Sequence, residues 1–454
     1  MVISWVVIWG TVSLIAGSPY LMKRQRVVEP ASLQLKFAGR YAVGLKALSS
    51  QMLSTGNSKK QFEDMVRQST VTPVDDLRAI PVLVELDGRE AAEKLLDDFE
   101  MRNPPPQLLA DAKLLRTIYE NGPRALDEGQ KKGLIERHDW FAQLALSFDQ
   151  PNDSPARRAA IAPAQRVIFA AVAIFAIGGI SFLVGLGLLI WLLVKLIGGS
   201  RPPVQPNWGQ PMPHGYVDSR PEPMRMGYVP DPAAPRVFLE AFAIYLGGFL
   251  AMGMLVRLLF PNAGLGLAIL GLALPLAAAI VWPRFRGMSW AEARRAVGLH
   301  CGKGFAREVM SGLAGYVAAL PILALAMMVT LVLTKFGGKV PSHPLVNEIS
   351  TDFWSVVKLY VLASVWAPIT EELLFRGALF HHLRRRHGWF LSAALVSFIF
   401  AAIHPQGYLG IPMLMTIAFI LAGLREWRGS IIASMVGHAL NNFVAVTVLI
   451  LMFA

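Results

Sequence analysis

The sequence Ala367-Pro-Ile-Thr-Glu-Glu-Leu-Leu-Phe-Arg-Gly377 places two adjacent carboxylates and an arginine inside an otherwise apolar stretch. Ionisable groups at membrane depth are costly and usually mark functional sites. Glu372 and Arg376 are four residues apart, so on a helix they share a face and can pair. Glu371 points about 100° away, because a helix turns once in ~3.6 residues. The stretch therefore predicts one carboxylate that is neutralised by its neighbour and a second, Glu371, that is free for chemistry.

The composition around this stretch is that of a membrane protein. The 454 residues are 54% apolar and 16% charged, whereas soluble domains carry about 25% charged residues. Several apolar runs approach or exceed the ~20 residues that span a bilayer. We therefore predict an all-α fold, a polytopic transmembrane helical bundle with an additional N-terminal helical soluble domain. We expect a multi-pass protein of the bacterial inner (cytoplasmic) membrane.

The charge and the cysteine content exclude other classes. The net charge of +12 does not indicate a nucleic-acid partner, because Arg and Lys cluster between the apolar runs, as membrane topology demands. The bilayer is the partner that this pattern predicts. The single cysteine, Cys301, excludes an intrachain disulfide and a Cys-rich metal site.

The chain divides into five predicted segments. Residues 1–19 form an N-terminal transmembrane anchor or signal-like segment, and an uncleaved anchor is favoured because basic residues follow the apolar run instead of preceding it. Residues 20–165 form a helical soluble domain, and residues 166–198 form a transmembrane helix. Residues 199–236 are a proline-rich linker. Residues 237–454 contain the remaining predicted transmembrane spans and the motif of residues 367–377.

The predicted soluble domain mixes charges of both signs. Three amphipathic helices are expected there: residues 88–99 with Asp87 as the cap, residues 108–119 ending before Gly122, and residues 134–148. This region contains no recognisable set of catalytic residues, so we predict a domain that binds a partner or has a regulatory role.

Two basic regions are expected at the membrane surface. Residues 283–308 contain a tryptophan and several cations, typical of an interfacial amphipathic helix. His381, His382 and His387 flank the basic run at residues 384–386, and we expect them on a solvated surface, with a role as metal ligands as the alternative.

Three further polar groups lie in the last apolar runs: His404, His438 and Asn442. His438 and Asn442 are four residues apart and share a helix face, as do Phe400 and His404. Each of two further predicted helices therefore carries a pair of motif residues on one face.

The rise of a helix predicts a similar depth for these groups. At ~1.5 Å per residue, Glu371 lies roughly 20 Å from Arg384, and His404 lies about 24 Å from Gly388. By the same rise, the two polar groups of the last helix lie about 14 and 20 Å from Gly429. If these three reference residues are near one interface, the groups meet in a shared polar cavity.

Such a cavity has the parts needed to hydrolyse an amide bond. A carboxylate in apolar surroundings can act as a general base on water. Histidines can bind a metal, polarise a carbonyl or share a proton. An asparagine amide can stabilise an oxyanion. No serine or cysteine nucleophile is required.

Three motifs follow one another on successive helices and resemble those of the CPBP (Abi) family of intramembrane proteases, which includes the type II CAAX prenyl endoproteases. The resemblance covers residues 237–454, which are thus expected to be a CAAX-protease-like transmembrane domain. The motifs are Glu-Glu-x-x-x-Arg (Glu371, Glu372, Arg376), Phe-x-x-x-His (Phe400, His404) and His-x-x-x-Asn (His438, Asn442).

The resemblance implies roles for these residues. Glu371 activates water together with His404, and His438 and Asn442 complete the site as metal ligands or as oxyanion stabilisers. The other members of the motifs brace the site. The implied substrate is a peptide or protein at the membrane, lipidated or not, and the soluble domain is the expected place for a partner to dock.

The resemblance leaves the cofactor open. A zinc site needs about three protein ligands, and Glu371, His404 and His438 could supply them, with Glu372 as the base. A mechanism that uses glutamate and histidine without metal is equally open. Two other classes also remain: a non-catalytic scaffold or immunity protein, and a proton-coupled transporter that uses the buried Glu, Arg and His as a relay.

Overall fold

Helices make up the secondary structure of the described residues, which contain no strand. The structure is a computed structural model and describes residues 1–17, 30–48, 56–70, 72–198, 236–260, 265–337, 352–404 and 406–453. The predicted linker lies outside these residues except for residue 236. The helices are α1 (Val2–Gly17), α2 (Pro30–Leu48), α3 (Gly56–Gln68), α4 (Pro73–Asp87), α5 (Glu90–Glu100), α6 (Pro106–Asn121), α7 (Glu128–His138), α8 (Trp140–Leu146), α9 (Pro155–Gly198), α10 (Val237–Leu259), α11 (Leu265–Phe285), α12 (Trp290–Ala296), α13 (Phe305–Gly337), α14 (Phe353–Val361), α15 (Ala367–Glu371), α16 (Phe380–Arg384), α17 (Trp389–Ala402), α18 (Gly407–Arg428) and α19 (Ile432–Phe453).

Six helical stretches in the described part of the chain are long and apolar enough to cross a membrane. They are residues 155–194, 237–256, 305–336, 353–384, 407–428 and 432–452. Three shorter apolar helices accompany them, at residues 2–15, 273–285 and 389–402. The protein is a multi-pass integral membrane protein with an all-α fold, as the composition predicts.

The helices form two compact units. The membrane unit holds α1, the second half of α9, and the helices from α10 through most of α19. The other unit contains the region predicted to be a soluble domain and is named the soluble unit after that prediction; it holds α2 to α8, the first half of α9 and the end of α19.

The helix that carries the motif of residues 367–377 is a regular α-helix only in part. Between α14 and α15, and again between α15 and α16, the residues Leu362–Trp366 and Glu372–Leu379 adopt π-helical hydrogen bonding. Pro368 explains the first of these segments, because it has no N–H to give to the carbonyl four residues earlier. The N–H of Ala367 instead bonds five residues back, to the carbonyl of Leu362. Single π turns of this kind occur frequently at functional sites.

The core of the membrane unit is built by α1 and aromatic residues of the later helices. Ile8 of α1 is fully buried in the same cluster as Phe242, Phe375 and Phe400. Phe375 packs edge-to-face on each of the other two phenyl rings, with ring centres 5.1 Å apart in both pairs. The first helix is therefore part of the core, which goes beyond the role of a simple anchor.

Small residues allow the last helices to approach closely. A Cβ atom on Gly312 of α13 would lie 2.5 Å from the carbonyl oxygen of Ala433 and 2.7 Å from Cβ of Val436, both on α19. Glycine at such a crossing lets transmembrane backbones come into contact. This contact fixes α19, which carries two of the candidate site residues.

Two of the predicted helices of the soluble unit differ in the structure. Asp87 does not cap the following helix: it ends α4 and pairs with Lys59 at 2.7 Å, and α5 begins at Glu90. The predicted helix of residues 134–148 is broken at Asp139, whose φ of 50° ends α7 and starts α8. A non-glycine residue with positive φ cannot continue a right-handed helix.

A buried carboxylate ties α6 to α7 in this unit. Asp111 is fully buried and accepts hydrogen bonds from Arg137 Nη2 at 2.6 Å and from His138 Nε2 at 2.9 Å. Burial on its own would raise the pKa of Asp111, but the hydrogen bonds from Arg137 and His138 outweigh it and hold this pKa below its usual value. Burial lowers the pKa of His138.

We predict that Asp111→Asn destabilises the soluble unit by ~1.5–3 kcal/mol at neutral pH, the range for hydrogen bonds to charged groups. A lowered carboxyl pKa stabilises the folded state above the unfolded pKa, and this stabilisation is lost as the pH falls through the folded pKa. The protection of amide hydrogens in peptides from residues 106–146, measured relative to the intrinsic exchange rate at each pH, should therefore fall on acidification, more steeply in the wild type than in the variant. The control Asp97→Asn removes an exposed partner of Arg116 and should cost at most ~1 kcal/mol. An Asp111 variant as protected as this control would contradict the prediction.

Candidate active site

A single buried carboxylate connects its own helix to α19 and, through Arg376, to α18. Glu372 Oε1 accepts a hydrogen bond from Arg376 Nη1 at 2.7 Å, so the ion pair predicted from the spacing is present. The same oxygen lies 2.8 Å from Nδ1 of His438 on α19. Arg376 Nη2 in turn donates to the carbonyl of Ala418 on α18 at 2.9 Å. Glu372 and Arg376 are both fully buried, and burial of such a pair requires these hydrogen bonds.

The neighbouring glutamate has a different environment. The side chain of Glu371 is 25% exposed, and its carboxylate makes no hydrogen bond within the described residues. Its Oε2 lies 3.7 Å from His438 Nε2, which is too long for a direct hydrogen bond and suits a bridging water. Because His438 Nδ1 faces a carboxylate oxygen, it carries a proton, and Nε2 of the same ring is directed at Glu371.

His404 is oriented by its own helix. It lies just beyond the end of α17, and its Nδ1 is 2.6 Å from the carbonyl oxygen of Phe400. A carbonyl only accepts, so Nδ1 carries the proton and Nε2 is left as an acceptor. The ring of Phe400 lies 4.3 Å from that of His404 and 6.1 Å from that of His438. Phe400 therefore contacts both histidine rings. The guanidinium carbon of Arg376 lies over the Phe400 ring, 5.0 Å from the ring centre.

Asn442 is held by two amide contacts. Its Nδ2 donates to the carbonyl of Ala363 at 2.8 Å, and its Oδ1 accepts from Asn441 Nδ2 at 3.1 Å. Ala363 lies in the first π segment, so the irregular turn supplies the acceptor. One N–H of the Asn442 amide is used in this way, and the second is left for another acceptor.

Three contributors to this site were not predicted from the sequence. Asn441 fixes the orientation of the Asn442 amide, and the π segment at residues 362–366 positions Ala363. Tyr245 of α10 lies within electrostatic range of Glu371. Pro368 was the available signal for the irregular turn, whereas nothing in the sequence pointed to Tyr245.

The prediction for two histidines near the basic run was wrong. His381 and His382 are 1% and 3% exposed and do not lie on a solvated surface. His381 packs against Phe238 of α10, and His382 against Trp5 of α1, with ring centres 5.1 and 6.3 Å apart. Helices distant in sequence cover this turn, which the local pattern could not show. His387 is exposed, as expected.

The zinc ligands considered from the sequence do not form a metal-binding group. No set of three or more His, Cys, Asp and Glu side chains in the described ranges is arranged to hold a metal ion. The Nδ1 atoms of both histidines are engaged, with Phe400 O and Glu372 Oε1, so only their Nε2 atoms are free. Because the described residues do not bring three donors together as a zinc site requires, we derive no step through a metal.

The fold and the site together define a class of polytopic membrane protein in which ionisable residues of several transmembrane helices meet in one polar site. Residues 353–444 match the model of the family described as Type II CAAX prenyl endopeptidase Rce1-like. This match agrees with the CPBP resemblance of the motifs, and the matched segment contains all seven motif residues. No curated protein and no solved structure shows significant similarity to the chain.

The two adjacent glutamates should differ sharply in their effect on stability. Glu372→Ala leaves the buried guanidinium of Arg376 without its partner, a change that costs ~3–5 kcal/mol. Glu371→Ala removes a partly exposed carboxylate without hydrogen bonds and should cost less than ~1 kcal/mol. Thermal unfolding of the two detergent-purified variants measures this difference. Equal melting temperatures would show that Glu372 does not hold the site together.

Proposed function

We propose that the protein is an intramembrane endopeptidase that hydrolyses a peptide bond of a membrane-associated or lipidated protein or peptide. The observation that carries this proposal is the distance of 3.7 Å between Glu371 Oε2 and His438 Nε2, within a segment that matches a family of endopeptidases. The gap has the size that a hydrogen-bonded water requires, next to a carboxylate that is not otherwise engaged.

The proposed reaction uses water as the nucleophile. Glu371 takes a proton from water while the water oxygen bonds to the carbonyl carbon of the substrate, and the carbonyl electron pair moves onto its oxygen. His404, through the acceptor Nε2, orients the water. When the oxyanion collapses, the C–N bond breaks, and Glu371 returns the proton to the leaving nitrogen. The products are a carboxylic acid, which then releases its proton to solvent, and an amine.

The developing oxyanion needs a donor, and Asn442 is the residue to which we assign this role. Its second N–H is not used by Ala363, and a neutral amide donor suits a tetrahedral intermediate. His438 is held by Glu372, which stabilises the ring if it becomes protonated during the reaction.

The alternatives are less well supported. A scaffold or immunity protein does not need an unengaged carboxylate beside two oriented histidines. A proton-coupled transporter would require a polar path across the bundle, whereas the site residues of the described chain lie together on α15, α17 and α19 and the turns beside them. The proposed location is the bacterial inner membrane, where the multi-pass helices would reside.

Substitution of the three ionisable site residues should abolish proteolysis. Glu371→Ala, His404→Ala and His438→Ala should each lower turnover by about 10²-fold or more, the contribution of a general acid–base group. Terminal-peptide proteomics of membranes with wild type or Glu371→Ala should reveal new termini in the wild type alone, and these also identify the substrate. The exposed His387→Ala serves as the matched control with normal turnover. Identical termini from equally abundant, folded proteins would favour the scaffold or transporter.

The soluble unit offers a place for the substrate protein to dock, which we propose as its role. A polar pocket of about 450 Å³ there falls within the range of ~300–1,000 Å³ typical of ligand sites. Its charged and amide side chains can bind a polar segment of polypeptide. They belong to Lys46, Glu85, Asp149, Gln150, Asn152 and Arg157.

Blocking this pocket should weaken binding of the substrate protein without changing cleavage of a short peptide. Asn152→Trp places a bulky ring in the pocket and should raise KM for the substrate protein about tenfold, equal to ~1.4 kcal/mol of lost binding. Cleavage of a short peptide that spans the same bond should not change. Asp153→Trp, an exposed neighbour that does not line the pocket, is the control. If the pocket variant cleaves both substrates as the control does, docking occurs elsewhere.

A further inference from the structure

A second pocket lies in the membrane unit, separate from the site residues. It has a volume of about 230 Å³, is open on one side, and is lined by residues of α10, α11, α12 and the second π segment. Its walls are almost entirely apolar and include Phe238, Ile280, Trp290 and Leu374. The volume is below the ~300 Å³ at which sites for drug-sized ligands begin. The shape and chemistry therefore suit one narrow hydrocarbon chain.

One positively charged side chain lines this apolar pocket. Of the described residues that line it, only Arg294 of α12 is charged. The guanidinium of Arg294 is exposed and has no hydrogen-bond or ion-pair partner among the residues that the structure describes. A ligand with a hydrocarbon chain and an anionic group would fill the pocket with its chain and pair its charge with Arg294.

The surroundings of Arg294 are strongly basic. Further cations occur within residues 283–308, where both acidic residues are already engaged. Glu292 accepts hydrogen bonds from Ser289, and the buried Glu308 pairs with Arg428 at 2.7 Å. The other cations in this stretch are Arg284, Arg286, Arg295, Lys303 and Arg307, of which Arg286 pairs with Glu240.

Exposed aromatic residues locate the same stretch at a lipid headgroup layer. Phe285, Trp290 and Phe305 are 79%, 52% and 62% exposed. Aromatic and basic side chains that share a short amphipathic element are typical of the membrane interface. Basic residues there attract anionic lipids over zwitterionic ones.

We propose that this pocket binds an anionic phospholipid, with one acyl chain in the apolar cavity and the phosphate on Arg294. Charge complementarity selects an anionic headgroup, because a zwitterionic lipid brings no net charge to the basic rim. Leu373 and Leu374 line the pocket directly after Glu371 and Glu372. The bound chain therefore packs on the helix that carries the candidate site.

Competition between lipids tests this site on the full-length protein without any assay of proteolysis. The protein is reconstituted in vesicles of phosphatidylcholine and phosphatidylglycerol in equal amounts, extracted, and analysed by native mass spectrometry for retained lipid. We expect the wild type to retain phosphatidylglycerol in preference. Arg294→Gln should lower that preference about fivefold, the factor for one basic residue at an anionic surface.

Two further variants separate a site from general surface charge. Arg295 is the exposed neighbour that does not line the pocket, so Arg295→Gln should retain nearly the wild-type preference. Ala293→Leu fills the pocket from α12 and should reduce retention of both lipids. Equal retention of the two lipids by the wild type would overturn the proposal. Equal losses in the two arginine variants, or unchanged retention in Ala293→Leu, would do so as well.

Discussion

The membrane unit depends on the burial of one negative charge. The carboxylate of Glu372 is bonded both to a guanidinium within its own helix and to a histidine 66 residues further along the chain. A buried ion costs several kcal/mol unless its partners replace the lost water. The arrangement of α15, α18 and α19 is therefore constrained by the need to bring these partners to one oxygen atom, because any other packing would leave a charge unpaired in an apolar interior.

The difference between Glu371 and Glu372 follows from this constraint. Adjacent residues on a helix point in different directions, so only one of the two can be directed into the bundle. The partners of Glu372 also orient His438, which leaves Nε2 of that ring facing Glu371. The buried carboxylate thus shapes the surroundings of its neighbour, and the chemistry we propose for Glu371 depends on a residue that takes no direct part in it.

The sequence predicted the parts of the site that depend on local spacing. Glu372 and Arg376 pair because they are four residues apart, and the helical rise brought Glu371 and His438 to a similar depth. The bond between Glu372 and His438 joins distant helices, and no local pattern reveals it. The burial of His381 was missed for the same reason, because α10 covers it from elsewhere in the chain.

Other parts of the fold depend on backbone conformations that residue type indicates only weakly. The helix expected over residues 134–148 contains neither glycine nor proline, yet Asp139 takes a positive φ and divides it. Aspartate adopts this conformation more readily than most residues, but it does so in few of its occurrences. The orientation of Asn442 likewise depends on a carbonyl that a π turn displaces, and side-chain pattern alone does not reveal that displacement.

The packing of α1 has a consequence for biosynthesis. This helix is synthesised well before its partners, because its fully buried Ile8 lies in a cluster with residues of α10 and α17, which are made more than two hundred residues later. Contacts between such distant parts of a chain form late and slowly. The core face of α1 is therefore in contact with lipid until α10 and α17 have been translated. A protein factor that shields this face during synthesis would shorten the time in which the incomplete bundle can associate wrongly.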